Sequence, residues 1–215
     1  CLGSRPPFER LIRLGAYEGL LRDLIHEVKF DARRTLGDHL GALLGMAIRH
    51  ELSSRDRHRA AQGGPPLVIV PMPTTFRRRM SRGIDHALVI AKAVRRQTGG
   101  TIWRPIGKRH RPSQVEVSPS QRSANMARAF FPRAGSLAAE LSGRLIIVVD
   151  DVMTSGATLR GACRAIQAGV RKGSMGDNPP RAKPRIWAAV IGVTPAPDDA
   201  SGGRSLGPGP DQAQE

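Results

Sequence analysis

Cysteine, aromatic residues and acidic residues are all scarce in this sequence of 215 residues. Cys1 and Cys163 are its only cysteines, too few for a disulfide framework, so a reducing, cytoplasmic setting is expected. Aromatic side chains make up 4% of the residues and leave few surfaces on which single-stranded nucleic acid could stack. The longest apolar run, residues 186–193, is far too short to cross a bilayer, so no membrane span is expected. The first residues show no apolar leader segment, and a secretory signal is not expected either.

The scarcity of acidic residues leaves 34 basic against 18 acidic side chains and a net charge of +16. A charge of this size attracts polyanions, either phosphorylated sugars or the phosphate backbone of nucleic acid. The alternative explanation is compositional, because 29 of the basic residues are Arg, a bias typical of a GC-rich coding sequence. Generic basicity is the preferred interpretation, and a dedicated nucleic-acid surface stays open beside it.

The segment of residues 145–159 contains the most informative pattern in the sequence. Its first five residues are all apolar and predict a strand buried on both faces, as in a parallel sheet. Asp150 and Asp151, the acidic pair, come next, and a short turn of small residues leads into a helical pattern of apolar residues. At such a junction free backbone N–H groups and the helix dipole favour a phosphate.

The side chains of this turn also suit a phosphorylated sugar. Gly156 has no side chain that would block the close approach of a ligand. Thr154, Ser155 and Thr158 can add hydroxyl donors. Two adjacent carboxylates suit the two hydroxyls of a sugar, or a magnesium ion held through water. The alternative is a plain strand, turn and helix with a solvated acidic pair, but the full pattern favours a phosphate site.

This segment resembles the phosphoribosyl-pyrophosphate signature of type I phosphoribosyltransferases. The matching pattern is a hydrophobic strand, two acidic residues, two variable residues and Thr-Ser-Gly-Ala-Thr. The resemblance implies that Asp150 and Asp151 are the catalytic residues and bind the ribose 2- and 3-hydroxyls. It implies that the 5-phosphate is bound by Thr154, Ser155, Gly156, Ala157 and Thr158. It further implies Mg²⁺ as the cofactor that accompanies phosphoribosyl pyrophosphate, with no protein side chain assigned as a metal ligand.

Apolar periodicity elsewhere predicts alternating helices and strands. Helices are predicted within residues 17–48 and 84–94, and further strands at residues 67–70, 101–106 and 186–192. This alternation predicts an α/β fold with a parallel sheet and helices on both faces. The predicted organisation is an N-terminal helical appendage and linker (residues 1–66), a core (residues 67–193) and a disordered tail (residues 194–215).

A second set of residues lies in an order and spacing that narrows the resemblance. They are residues 24–30, 70–73, 82–87, 114, 122–125 and 129–130. Together they resemble the ComF family, the competence-associated phosphoribosyltransferase-like proteins of bacteria, over roughly residues 17–193. The resemblance implies a type I phosphoribosyltransferase fold in which the N-terminal helices form a hood over the substrate.

Two further binding segments are expected. The turn after Val70 lies at the carboxyl end of a strand, where open α/β sheets bind ligands. The resemblance implies that this turn binds pyrophosphate through Pro71, Met72, Pro73 and Arg82. Residues 107–127 are polar, basic and long for an inert connection, and they lie where type I enzymes have a mobile lid, with a flexible surface loop as the alternative. The candidate lid residues are Lys108, Arg109, Gln114, Arg122 and Asn125.

The sequence departs from the family pattern at two places. Family members commonly have Asn and Gln where this sequence has Asp85 and His86. A carboxylate near a diphosphate would repel it, so Asp85 is expected to weaken ordinary catalysis, whereas His86 is expected to pack in the interior. The paired cysteines of the zinc ribbon that family members usually have are not in this sequence, so no zinc site can be built from it.

The main hypothesis is a phosphoribosyltransferase-like enzyme that binds phosphoribosyl pyrophosphate with Mg²⁺ and transfers the phosphoribosyl group to a nitrogen acceptor. No residue identifies that acceptor. The alternative is a non-catalytic competence or DNA-uptake factor, or a regulator, that uses the same fold as a nucleotide-responsive, nucleic-acid-binding scaffold. Nucleic acid, a competence helicase and a second copy of the chain stay open as partners.

Overall fold

The computed structural model describes residues 5–30, 33–52, 56, 67–74, 84–109, 129–133, 141, 143–173 and 183–195. The strands are β1 (Arg10–Ala16), β2 (Val68–Pro71), β3 (Thr101–Ile102), β4 (Ile106–Lys108), β5 (Phe130–Pro132), β6 (Leu145–Met153) and β7 (Arg185–Val193). The helices are α1 (Gly19–Phe30), α2 (Arg34–Glu51), α3 (His86–Thr98) and α4 (Ala157–Gly173).

Five strands form one sheet in the order β1-β7-β6-β2-β3, and every neighbouring pair in it is parallel. β4 and β5 form a separate antiparallel ribbon of two strands. The apolar run at the start of β6 lies in the middle of the sheet, where both faces are covered. The predicted parallel α/β sheet is confirmed.

Two apolar clusters cover the two faces of the sheet. Alternate residues of β6 enter different clusters, because successive side chains of a strand point to opposite faces. Ile146 and Val148 pack in the cluster that contains the apolar residues of α4 and of the β4–β5 ribbon. Ile147 and Val149 pack in the cluster that contains the apolar residues of α1, α2 and α3. The predicted placement of helices on both faces is confirmed.

Cys163 on α4 is fully buried in this core, as the apolar pattern of the helix predicts. Burial raises the pKa of the Cys163 thiol to about 12, so the side chain stays protonated and unreactive in the folded protein.

In the part of the chain that the structure describes, no helix is long and apolar enough to cross a membrane.

The first part of the chain differs from the predicted helical appendage. Strand β1 precedes the two expected helices and pairs in parallel with β7, so residues 10–16 belong to the central sheet. The sequence pattern did not indicate this strand because β1 is an edge strand in which Arg10 and Arg13 are exposed. The cluster that joins α2 and α3 to the sheet also includes Ile12 of β1.

Other boundaries differ as well. The expected strand over residues 101–106 is divided into the short strand β3 and the start of the ribbon strand β4. Strand β6 continues through the acidic pair to Met153 instead of ending before it. Strand β7 is one residue longer at each end than the strand predicted over residues 186–192.

Helix α1 packs over the carboxyl end of the sheet. A Cβ atom built on Gly192 of β7 would lie 3.1 Å from Cδ1 of Ile25 and 3.3 Å from Cβ of Tyr17. Gly192 is paired with Val152, two residues after Asp150 on the neighbouring strand. The N-terminal helix therefore lies beside the edge at which the acidic pair emerges, and its role as a hood stays a prediction.

Candidate functional site

The carboxyl ends of β2 and β6 lie side by side at the point where the chain order of the sheet reverses. From β2 the chain continues through α3 to β3 on one side, whereas β6 continues through α4 to β7 on the other. Pro71 is paired with Val149, and the Met72 N–H donates a hydrogen bond of 2.8 Å to the Val149 carbonyl oxygen. Open parallel sheets bind ligands outside the strand ends at such a point.

The acidic pair lies within the last residues of β6, where burial decreases from complete to partial. The Asp151 N–H donates to Oδ1 of Asp150 at 3.0 Å, and the Val152 N–H donates to Oδ1 of Asp151 at 2.6 Å. Both carboxylates thus accept hydrogen bonds from the backbone of the strand end, which fixes their position. An ionised carboxylate has about four lone-pair sites and can accept hydrogen bonds from more than one donor.

The turn of residues 154–158 follows the strand and ends in the first turn of α4. Gly156 has φ of +70°, a left-handed conformation that glycine adopts without strain. The Ala157 N–H donates to Oγ of Ser155 at 3.4 Å, and the Arg160 N–H donates to the Gly156 carbonyl oxygen at 2.9 Å. Thr154 and Ser155 are exposed, and Thr158 is half-buried.

Helix α4 lends this turn a positive electrostatic potential. The first N–H groups of an α-helix have no partner within the helix, and its dipole is positive at that end. The first turn of α4 contains no acidic side chain that would neutralise this charge. An anion at residues 154–158 would therefore meet backbone donors, hydroxyl groups and a favourable dipole together.

Arg160 is a residue of this site that the sequence analysis did not identify. A Cβ atom built on Gly156 would lie 2.9 Å from Nη1 of Arg160, so the guanidinium lies against the turn. The signal was available in the sequence, because helical side chains lean toward the amino end of their helix and Arg160 lies in the first turn of the predicted helix.

Three of the four predicted pyrophosphate-binding residues lie in the described part of the chain. Pro71 is the last residue of β2, and Met72 is 5% exposed with its side chain in the apolar core. The Met72 N–H is bonded to the Val149 carbonyl oxygen, and Pro73 is half-buried. Arg82 lies outside the described residues.

The first two residues of the predicted lid, 107 and 108, lie in the ribbon strand β4. Lys108 ends the ribbon strand β4, and the Arg109 N–H donates to the Ala129 carbonyl oxygen at 2.9 Å. The ammonium of Lys108 lies 5.2 Å from the ring centre of Phe130, and the guanidinium of Arg109 lies 5.4 Å from that of Phe131. Lys108 therefore belongs to the ribbon, and Arg109 follows it directly. The other candidates, Gln114, Arg122 and Asn125, lie outside the described residues.

Asp85 was expected to repel a diphosphate, but its carboxylate has a structural role in the fold. Its Oδ1 accepts a hydrogen bond of 3.2 Å from the Leu88 N–H and caps the amino end of α3. Its Oδ2 lies 3.2 Å from Nη2 of Arg104, and only 14% of the side chain is exposed. Because Arg104 compensates the charge of Asp85 within the fold, Asp85 would repel a nearby anion less than an unpaired carboxylate would. His86 is 6% exposed, in agreement with the expected packing.

The described part of the chain contains no group of three or more His, Cys, Asp or Glu side chains that could hold a metal ion. A parallel sheet with an acidic pair and a turn into a helix at its switch point is the architecture of an α/β domain of the phosphoribosyltransferase class. A family model described as phosphoribosyl transferase domain matches residues 40–170, more than half of the chain.

Several curated proteins are similar to this chain. DNA utilization protein YhgH of Escherichia coli (strain K12) is 28% identical over 161 residues, which cover 74% of this chain and 66% of that protein. Competence protein F of Haemophilus influenzae is 30% identical over 164 residues, which cover 74% of this chain and 67% of that protein. The chain belongs to the ComF family of phosphoribosyltransferase-domain proteins. The matches span about two thirds of the length of these relatives.

Proposed function

We propose that the chain binds phosphoribosyl pyrophosphate with magnesium at the carboxyl edge of its sheet and transfers the phosphoribosyl group to a nitrogen acceptor. The supporting observation is the continuous segment from Asp150 to Arg160, in which two fixed carboxylates are followed by the start of a helix with no acidic side chain in its first turn. A cytoplasmic location, where phosphorylated metabolites occur, is part of the same proposal.

In this mechanism the turn of residues 154–158 binds the 5-phosphate of the sugar. The left-handed conformation of Gly156 directs the backbone so that consecutive N–H groups can face one anion. Fixed donors hold the ribose in one orientation, which lowers the entropic cost of bringing C1 to an acceptor.

The acidic pair binds the ribose hydroxyls and stabilises the charge that develops during the reaction. When the bond between C1 and the diphosphate breaks, the ribose ring gains positive charge, and the electron pair leaves with the diphosphate. Carboxylates fixed by backbone hydrogen bonds would stabilise that charge with little reorganisation. The acceptor nitrogen then forms the new bond to C1.

The acidic pair also fits a magnesium ion. Mg²⁺ keeps several waters and binds through one or two carboxylates together with substrate oxygens, so two carboxylates are a sufficient protein contribution. When bound, Mg²⁺ would neutralise the negative charge of the diphosphate leaving group.

The direct test is incubation of the protein with phosphoribosyl pyrophosphate, magnesium and a panel of nucleobases, with products read by mass spectrometry. We expect one phosphoribosylated product and an equal amount of released diphosphate. The Asp150→Asn, Asp151→Asn double variant serves as the control for spontaneous hydrolysis. If the protein neither binds phosphoribosyl pyrophosphate in calorimetry nor releases diphosphate with any acceptor, the proposal is wrong.

A second candidate is a nucleic-acid-handling role without turnover. Relatives bear the names DNA utilization protein and Competence protein F, and the net charge of this chain is +16. In that role nucleic acid or a competence helicase would be the partner, and the sugar-diphosphate site would act as a sensor. A steep loss of DNA affinity with added salt, without diphosphate release, would favour this candidate.

A further inference from the structure

Arg160 occupies an unusual electrostatic position. It lies in the first turn of α4, where the helix dipole is positive and a cationic side chain is unfavourable. That first turn contains no acidic residue. Within the described part of the chain, Arg160 forms no ion pair, whereas Arg96, Arg104 and Arg185 each have a carboxylate partner.

The guanidinium is also directed toward the turn rather than away into solvent. Its Nη1 lies 2.9 Å from the position that a Cβ atom of Gly156 would occupy, and Arg160 is half-buried. The exposed hydroxyl-bearing residues Thr154 and Ser155 belong to the same turn. An uncompensated cation held beside a positive helix end becomes favourable when an anion binds between them.

We propose that Arg160 binds the 5-phosphate directly and makes the site selective for phosphorylated pentoses. A planar guanidinium offers several donors in a fixed fork that matches two phosphate oxygens, and it stays charged at every physiological pH. The turn supplies backbone donors on one side of the phosphate, and Arg160 supplies charge on the other. The inference rests on the proposed function, because it assigns a residue to the phosphate end of the same ligand.

The experiment compares Arg160→Gln and Arg160→Lys with the matched control Arg164→Gln. Arg164 is exposed one helical turn further along α4, so its substitution removes the same charge away from the turn. Dissociation constants for ribose 5-phosphate and for phosphoribosyl pyrophosphate are measured by calorimetry, and thermal unfolding confirms that each variant is folded.

We expect Arg160→Gln to weaken binding of ribose 5-phosphate by about 10- to 100-fold, the effect of one charge-assisted hydrogen-bond pair. Arg160→Lys keeps the charge without the fork, so an intermediate loss is expected. Arg164→Gln is expected to bind as the unmodified protein does.

Two results would overturn the inference. One is an unchanged dissociation constant for Arg160→Gln in a protein whose binding still depends on Asp150 and Asp151. The ligand would then bind at the same site without a contribution from Arg160. The other is an equal loss in Arg160→Gln and Arg164→Gln, which would show a general effect of charge. An unmodified protein that binds neither ligand contradicts the proposed function itself, and the role of Arg160 falls with it.

Discussion

Replacement of both Asp150 and Asp151 by Asn is expected to abolish magnesium-dependent binding of phosphoribosyl pyrophosphate while the fold is retained. Asn has nearly the same shape as Asp, and its side-chain oxygen can still accept the Asp151 and Val152 N–H hydrogen bonds. The substitution removes two charges that would face ribose hydroxyls and magnesium. Hydrogen bonds to charged groups contribute about 1.5–3 kcal/mol each, so the combined loss is at least about 100-fold in affinity.

Calorimetric titration with and without magnesium measures this effect. The matched control is Asp38→Asn, which removes one carboxylate from an exposed ion pair with Arg96 on the outer surface of α2 and α3. Exposed ion pairs contribute about 0–1 kcal/mol to stability, so the control should stay folded and should bind with unchanged affinity. Equal affinity of the double variant and the unmodified protein would show that the acidic pair is not part of the binding site.

Substitution of Gly156 by Ala is expected to cost both stability and ligand affinity. At φ of +70° a Cβ atom is strained, and this one would also lie 2.9 Å from Nη1 of Arg160. The left-handed conformation costs an L-residue about 1–2 kcal/mol. The strain and the displaced Arg160 should also disturb the donors of the turn, with an expected loss of about 10- to 1000-fold in phosphate affinity.

Gly99 provides a control that separates these two effects. It ends α3 with φ of +71°, and a Cβ atom there would have no atom within 4 Å. Gly99→Ala should therefore show similar backbone strain in urea unfolding without any change in ligand affinity. If Gly156→Ala loses stability to the same extent as Gly99→Ala but binds ribose 5-phosphate normally, the turn does not contact the ligand.

The central strand and the turn were predictable because their signals are local. Residues 145–149 are uniformly apolar, and Gly156 comes at the junction between this strand and a clear helical pattern. Strand β1 lacked such a signal, since it exposes Arg10 and Arg13 and finds its partner β7 more than 160 residues away. Its pairing is set by tertiary packing, which one short sequence window does not encode.

The charge balance around the site could not be predicted from residues that are neighbours in the sequence. Asp85 alone predicts repulsion of a diphosphate, but Arg104 compensates it from a position 19 residues later. Lys108 was expected in a loop because β4 is only three residues long, and its partner β5 begins at Phe130. In both cases the missing information is a contact between segments that are distant in sequence.

The central claim is that residues 154–158 and the start of α4 bind the phosphate of a phosphorylated pentose. The most direct measurement is a titration of isotope-labelled protein with ribose 5-phosphate, followed by amide proton–nitrogen correlation spectra. We predict progressive shifts of the Gly156, Ala157 and Thr158 amide resonances, with a dissociation constant that matches calorimetry. Shifts confined to amides elsewhere, with these three unchanged at saturation, would contradict the account.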